Sequence, residues 1–172
     1  MKILKSRAAV FEGLVVPHME MLYRAAWRLT GRPDEAEDLV QQVMVNLYSR
    51  TREMHKVERM GPWLRKVLYR EFVDGLRKKA RRPEYYSADA VDVGDIQAGT
   101  DNPEKLVERA GDRDRVRKAL DELTAHDRAI VVMHLAEGYT VAELSDIFNV
   151  PSETMKTRLR RARGRLKKIL MK

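Results

Sequence analysis

Residues 140–163 read TVAELSDIFNVPSETMKTRLRRAR, which predicts two helices joined by a tight turn. Thr140, with Glu143 three residues later, forms a capping box, so a helix begins there. Asn149 tolerates the left-handed conformation that ends a helix, and the proline two residues on cannot continue it. Ser152 is the predicted cap of the second helix, which extends close to the end of the chain. Helix, turn and helix follow in the order found in helix-turn-helix DNA-binding proteins.

The second of these helices is strongly basic. From residue 156 to residue 172, nine of 17 residues are Lys or Arg and none is acidic. A basic run alone is usually a solvated surface, but after a capped helix and a tight turn it predicts entry into the DNA major groove. Four apolar residues at helical spacing must pack inward: Met155, Leu159, Ala162 and Leu166. The candidate groove residues are therefore Glu153, Thr154, Lys156, Thr157, Arg160 and Arg161.

The chain before this region shows helical periodicity and no credible strand. Helices are predicted over 113–123 and 125–137, and several amphipathic helices fill the first half of the sequence. A polar, irregular stretch over 49–62 precedes a helix that starts near Trp63 and ends in the basic run 77–82. The chain is therefore predicted to be all-α, with two small helical bundles.

Charge divides the chain into three parts. The 172 residues contain 34 Lys and Arg against 26 Asp and Glu, a net charge of +8. Residues 1–83 carry +8, residues 84–111 carry −5 and residues 112–172 carry +5. Two basic blocks suit a polyanionic partner. The acidic stretch between them contains three Gly, one Pro and four Asp residues and predicts a flexible linker, with a short helix over 104–110. We therefore expect two domains, at 1–83 and 112–172.

Composition excludes several classes of protein. The sequence has no cysteine, which rules out disulfide frameworks, zinc ribbons and thiol nucleophiles. No run approaches the roughly 18 apolar residues of a membrane span, and no signal peptide is evident, so we expect a cytoplasmic protein without membrane insertion. The four histidines are scattered and form no metal or catalytic motif. We expect neither enzymatic activity nor a cofactor.

Two blocks of sequence resemble the conserved regions of extracytoplasmic-function sigma factors, the compact bacterial initiation factors of RNA polymerase. Residues 36–43, AEDLVQQV, match the acidic-polar motif of the first region almost residue for residue. Residues 63–67, WLRKV, match the start of its promoter-melting helix. Residues 138–144 and 150–163 follow the helix-turn-helix of the second region, so the resemblance covers most of the chain.

The resemblance implies a role for each block. The first domain would dock on the clamp coiled coil of the polymerase largest subunit through Asp38, Gln41 and Gln42. It would also melt the −10 element and hold the non-template strand, with candidate contacts at Met54, His55, Lys56, Trp63, Lys66, Arg70, Arg77 and Lys78. The second domain would read the −35 element as duplex DNA through its groove residues. Two positions depart from the family pattern: Arg70 stands where Asn is usual, and Asn149 where Gly is usual.

Core RNA polymerase and promoter DNA are the partners that the resemblance implies, together with an inhibitory anti-sigma factor. The acidic linker would thread toward the RNA exit path of the polymerase.

An alternative from a different class is a helix-turn-helix regulator that acts without polymerase. Dimeric readers of that class need a self-association surface and a palindromic site, and the chain has no heptad run or evident dimer helix. This alternative also leaves the block around Asp38 and Gln41 unexplained.

Overall fold

The computed structural model of the chain describes residues 6–81 and 113–171, and within these ranges all regular structure is helical. The chain forms two compact units, Met1–Phe72 and Val73–Lys172, and the division falls inside a single helix. The predicted all-α fold with two domains is confirmed. The linker at 84–111 lies outside the described residues, and the expected domain boundaries stay predictions. None of the described helices is long and apolar enough to cross a membrane.

Local chemistry sets the helix boundaries in the first unit. Ser6 accepts a hydrogen bond from a backbone amide in the first turn and so caps the first helix, and Pro17 carries the chain through a 3-10 turn, Val16–His18. Gly31, with a φ of 74°, ends the second helix in the left-handed conformation, and Pro33 begins the third. The helices are α1 Arg7–Val15, α2 Met19–Thr30, α3 Pro33–Ser49, α4 Thr51–Met54 and α5 Met60–Ala80, and the part of α5 from Val73 onward belongs to the second unit.

One face of each long helix builds the core of the first unit. α2 packs against α3, and the buried residues recur every three or four positions, so each helix hides one side and exposes the other. The exposed side of α3 is therefore fixed by packing on the opposite side. The buried residues include Leu22, Ala25, Ala26 and Leu29 of α2, Ala36, Val40, Val43 and Leu47 of α3, and Leu64, Leu68 and Tyr69 of α5.

The stretch 49–62 is more regular than predicted. It contains α4, and α5 begins three residues before the predicted start at Trp63. The Thr51 hydroxyl donates a hydrogen bond to the Tyr48 carbonyl at 2.7 Å, which carries the chain directly from α3 into α4. Met54 is fully buried. The expectation that Met54 is exposed and contacts DNA is therefore wrong, because its side chain belongs to the core in spite of its polar neighbours in sequence.

The second unit ends in the predicted helix-turn-helix. Thr140 and Glu143 make both hydrogen bonds of the capping box, and Asn149 ends the next helix in the left-handed conformation with a φ of 46°. The predicted cap and the predicted turn are confirmed. The helices are α6 Arg113–Asp121, α7 Ala125–Val131, α8 Val141–Phe148 and α9 Ser152–Leu170. α9 packs on α6, α7 and α8, so the rest of the unit supports it from one side.

The helix predicted over 125–137 changes its pitch near its end. It is α-helical through α7 and then widens into one π-helical turn, Val132–Ala136. The Glu137 amide donates to the carbonyl five residues back at 3.2 Å, which is the bond that defines a π-helix. Gly138, with a φ of 74°, then ends the helical run directly after the predicted last residue, 137.

The start of α9 differs from the prediction by one residue. Ser152 is the first helical residue, and the flanking position is Pro151, whose side chain cannot cap a helix. The Ser152 hydroxyl lies 3.4 Å from the hydroxyl of Ser145 in α8, and Ser145 in turn donates to the Val150 carbonyl. The predicted Ser152 cap is therefore wrong, because this side chain bonds across the turn to α8.

Candidate functional site

α9 presents a broad outward face. Its buried side chains lie against the rest of the unit: Met155, Leu159, Ala162, Leu166 and Leu170. At about 100° per residue, the side opposite to them is centred near Glu153, Thr157 and Arg160. Of the six predicted groove residues, four are exposed and two, Thr157 and Arg161, are half-buried. Packing of α9 thus gathers the six predicted residues on one accessible surface.

The first turn of α9 contains an ion pair. Lys156 Nζ lies 2.6 Å from Glu153 Oε1, and both side chains remain largely exposed. The Thr157 hydroxyl donates to the Glu153 carbonyl at 3.1 Å, so it is turned toward the helix backbone. Negative charge in a first turn also interacts favourably with the helix dipole. The N-terminal end of α9 therefore holds a hydrogen-bond acceptor, Glu153, beside a hydrogen-bond donor, Lys156.

Two ion pairs fix α9 and its neighbours. Arg165 of α9 donates to Asp127 in the first turn of α7, and the Asp127 carboxylate is about nine-tenths buried. Arg128, also buried, lies 2.6 Å from Asp121 at the end of α6. Pairing offsets the cost of burying these charges. Arg165 is therefore held by a partner within the unit, and that partner, 38 residues away, left no signal in the sequence.

α3 presents a polar face to solvent. Asp38, Gln41 and Gln42, the predicted polymerase contacts, are all exposed and lie opposite to the buried stripe of the helix. Val45, one turn beyond Gln41, is 68% exposed. An exposed apolar side chain beside amide and carboxylate groups suits a protein partner better than a polyanion.

Two residues that sequence reasoning missed connect this face to α5. Gln42 Nε2 donates to Asn46 Oδ1 at 3.2 Å, and Asn46 Nδ2 donates to Glu71 Oε2 at 2.9 Å. The spacing of four residues between Gln42 and Asn46 is a signal for the first bond. Glu71 lies 25 residues farther along, and only the fold brings it to Asn46. The three side chains form a polar bridge between α3 and α5.

The first turn of α3 is acidic and is held by an arginine. Arg32 donates to Asp34 Oδ2 at 3.0 Å and lies 3.6 Å from Glu35. The hydrogen bond from Arg32 holds the pKa of Asp34 below its usual value. The Asp34 carboxylate stands in a first turn where the helix dipole favours negative charge.

α5 carries the second predicted nucleic-acid surface. Trp63, Lys66, Arg70 and Arg77 follow one another at intervals of three, four and seven residues, so they share one side of the helix. Trp63 and Lys66 are half-buried and Arg70 is exposed, while Arg77 pairs with Asp74 at 2.8 Å. Aromatic and basic groups on one side suit an unstacked base and its phosphates. The other candidates with exposed side chains are His55, Lys56 and Lys78.

Within residues 6–81 and 113–171, no group of three or more His, Cys, Asp or Glu residues could hold a metal ion. His134 Nδ1 lies 2.7 Å from the Tyr139 carbonyl oxygen. The His126 ring lies beside the Phe148 ring, with centroids 6.5 Å apart. Both histidines thus make local contacts within the second unit.

Two protein-family models match the chain. The model described as Sigma-70 region 2 matches residues 14–82, which contain the polar face of α3 and the whole of α5. The model described as Sigma-70, region 4 matches residues 113–166, which contain the helix-turn-helix. The two matches follow in the order that the sequence motifs predicted.

Similar proteins of known family are ECF RNA polymerase sigma factors. SigE of Mycolicibacterium smegmatis is 29% identical over 167 residues, which are 94% of this chain and 62% of that protein. SigW of Bacillus subtilis is 25% identical, with 98% of this chain and 93% of that protein covered. SigM of Mycobacterium tuberculosis is 30% identical over 161 residues, which are 93% of this chain and 76% of that protein. The chain thus spans less than two thirds of SigE but most of the other two.

The chain is also similar to a solved structure, the sigma factor RpoE from Bartonella quintana in complex with the anti-sigma factor NepR. The TM-score is 0.59 and the sequence identity 25%, with 94% of this chain and 96% of that chain covered. Motifs, helix-turn-helix geometry and relatives agree with one another along nearly the whole sequence. The chain belongs to the ECF RNA polymerase sigma factors.

Proposed function

We propose that the chain binds core RNA polymerase and directs it to specific promoters, with no enzymatic chemistry of its own. The observation that carries this proposal is the presence, in one chain, of a capped helix-turn-helix and an exposed polar face on α3. A helix-turn-helix alone would suit an independent regulator, but such a regulator has no use for the α3 face. Membership of the sigma factor family supports the polymerase-dependent function.

The second unit reads the −35 element as duplex DNA. α9 enters the major groove with its first turns at the base edges, as the second helix of this motif does in other proteins. Basic residues farther along α9 neutralise phosphates, which adds affinity without sequence choice. The pair of Arg165 and Asp127 keeps α9 from rotating on the unit, so folding sets which side chains face the bases.

The first unit docks on the polymerase through α3. Asp38, Gln41 and Gln42 contact the clamp coiled coil of the largest subunit, and the exposed Val45 extends the same face. The bridge from Gln42 through Asn46 to Glu71 ties this docking face to α5. The family resemblance and the exposure of these side chains support the assignment.

α5 and the loop before it open the −10 element and hold its non-template strand. Trp63 stacks on an unpaired base, and Lys66, Arg70, Arg77 and Lys78 follow the phosphates. His55 and Lys56, exposed just before α5, contact the strand as it separates. These α5 residues share one side of the helix, which supports a continuous binding surface for the non-template strand.

The remaining partners follow from the family. RpoE of Bartonella quintana was crystallised with an anti-sigma factor, and we infer that a partner of this kind covers the exposed binding faces of the present chain. The acidic residues 84–111 follow a basic path through the polymerase toward the RNA exit. Because bacterial transcription takes place in the cytoplasm, we infer that the protein acts there.

Reconstitution with core polymerase tests the proposal. The chain is combined with core enzyme and a library of genomic fragments, and core enzyme alone serves as the control. Transcription should start on a defined subset of fragments, and permanganate should modify unpaired thymines in their −10 elements. A chain that binds duplex DNA but neither associates with core nor supports initiation would be an independent regulator instead.

A further inference from the structure

Glu153 stands apart on a surface that is otherwise basic. It is the one acidic residue of α9, a helix that contains eight Lys and Arg residues. Phosphates repel a carboxylate on a DNA-facing surface, so such a residue lowers the affinity for every sequence equally. A carboxylate in this place contributes to recognition only through contact with a base.

Glu153 occupies a position from which helix-turn-helix proteins in general read bases. It lies in the first turn of α9, on the side opposite to the buried Met155 and Leu159. In a helix-turn-helix the N-terminal residues of the second helix contact base edges. The Glu153 side chain is 83% exposed, so nothing within the unit stands between it and a duplex on this side.

Lys156 forms an ion pair with the carboxylate of Glu153. The Lys156 ammonium lies 2.6 Å from Oε1 and reduces the repulsion between Glu153 and the phosphates. Among the residues that the structure describes, Oε2 receives no hydrogen bond. A carboxylate has lone pairs on both oxygens, so the ion pair leaves acceptor capacity for a base.

We propose that Glu153 is a specificity-determining residue that accepts a hydrogen bond from the N4 amino group of a cytosine in the −35 duplex. Cytosine presents that amino donor in the major groove, whereas guanine and thymine present acceptor oxygens that a carboxylate repels. Adenine presents its amino group beside the N7 acceptor and fits an amide better than a carboxylate. The inference rests on the proposed reading of the −35 element by α9.

The test is a selection from duplexes randomised across the −35 region, carried out with the complex of the full chain and core polymerase. The wild-type complex should enrich cytosine at one position. Glu153→Ala should lower that preference by about tenfold and leave the other positions unchanged. Glu153→Gln, which keeps an acceptor and adds a donor, should shift the same position toward adenine.

Glu122→Gln is the matched control, because Glu122 is exposed just after α6 and its replacement removes the same charge from the same unit. It should leave every base preference unchanged. If Glu153→Ala binds all sequences more tightly by one factor and keeps the cytosine preference, Glu153 is only a solvated charge and the inference is wrong. If the wild-type complex shows no preference anywhere in the −35 region, the reading by α9 fails and the inference fails with it. Thermal melting of each variant confirms that it is folded.

Discussion

Asp38 and Gln41 give a direct test of polymerase docking, because both side chains project from a helix whose opposite face is buried. Replacing both by Ala removes the proposed contacts and leaves the core intact. The free energy of unfolding should change by less than about 0.5 kcal/mol per site. The affinity for core polymerase should fall by about tenfold or more. Equilibrium binding to labelled core and denaturation curves measure the two quantities.

Glu37→Ala is the control for this double variant. Glu37 is exposed on the same helix, about 100° around the axis from Asp38, and its loss changes the net charge by the same amount. It should bind core like the wild type. Normal core binding by the folded double variant would remove Asp38 and Gln41 from the docking surface.

Arg160 and Lys168 should separate base contacts from phosphate contacts along α9. Both side chains are exposed on its outward side, Arg160 nearer the leading end. Arg160→Ala should cost about 1–3 kcal/mol on a promoter duplex and much less on a scrambled one. Lys168→Ala should weaken binding to both alike and reduce the slope of log affinity against log salt by about 1. Binding isotherms on both duplexes over a range of salt concentrations measure these affinities. If Arg160→Ala loses the same affinity on both duplexes, Arg160 contacts a phosphate and not a base.

α4 and the loop after it combine one core side chain with two candidate DNA contacts. Met54→Ala deletes a fully buried side chain and should destabilise the first unit by about 2–5 kcal/mol, measured by denaturant unfolding. A change below 0.5 kcal/mol, the ordinary size for a surface substitution, would show that Met54 lies outside the core in solution.

His55 and Lys56 lie beside Met54 but are exposed, so a double Ala variant should retain its stability. It should form closed promoter complexes and fewer open ones, because stacking and phosphate contacts to a single strand exist only after the duplex opens. Permanganate reactivity of −10 thymines measures opening. On a template already mismatched across the −10 element the defect should shrink, and wild-type opening on a fully paired template would exclude these residues from melting.

The ion pair that joins α9 to α7 is formed by Arg165 and Asp127. Arg165→Ala leaves the buried Asp127 carboxylate without its partner and should cost about 1–3 kcal/mol of stability. Lys168→Ala, on the same helix but exposed, should cost almost nothing. Thermal unfolding of both variants measures the difference. Loss of DNA affinity without loss of stability in Arg165→Ala would identify it as a phosphate contact.

Elements with local signals were predictable from the sequence. Thr140, Glu143 and Asn149 act on backbone groups within a few residues, and the helix-turn-helix they specify is the predicted one. α4 was missed because the burial of Met54 depends on packing within the folded unit, which the polarity of its neighbours conceals. The π-helical turn was missed because its apolar pattern is that of an ordinary helix.

The polar contacts of the site, like the helices, were predictable only where they depend on residues close in sequence. Exposure of Asp38 and Gln41 followed from the helical period of α3, because the period decides which side is buried. The pairs of Arg165 with Asp127 and of Asn46 with Glu71 join residues 38 and 25 positions apart. Hydrophobic periodicity carries no information about which exposed polar groups meet after folding.

The distribution of charge along the whole chain predicts a role for the acidic segment that joins the two basic blocks. Residues 84–111 contain seven acidic and two basic residues between two strongly basic blocks. Replacing the seven carboxylates by amides should weaken core binding, most clearly at low salt, if these residues follow a basic path in the polymerase. It should also raise the affinity for random duplex DNA, because the chain becomes more positive. Unchanged core affinity at every salt concentration would exclude that path.

The hydrogen bonds that shape the turn between α8 and α9 span at most seven residues of sequence. The outward residues of α9 contribute little to the turn, because it is closed by Ser145, Asn149 and Ser152. Substitutions on this outward surface are therefore expected to change the free energy of unfolding by only about 0.5 kcal/mol or less. If α9 reads promoter DNA as proposed, two copies of such a chain that arise by gene duplication can diverge toward separate sets of promoters through single substitutions that leave the turn between α8 and α9 intact.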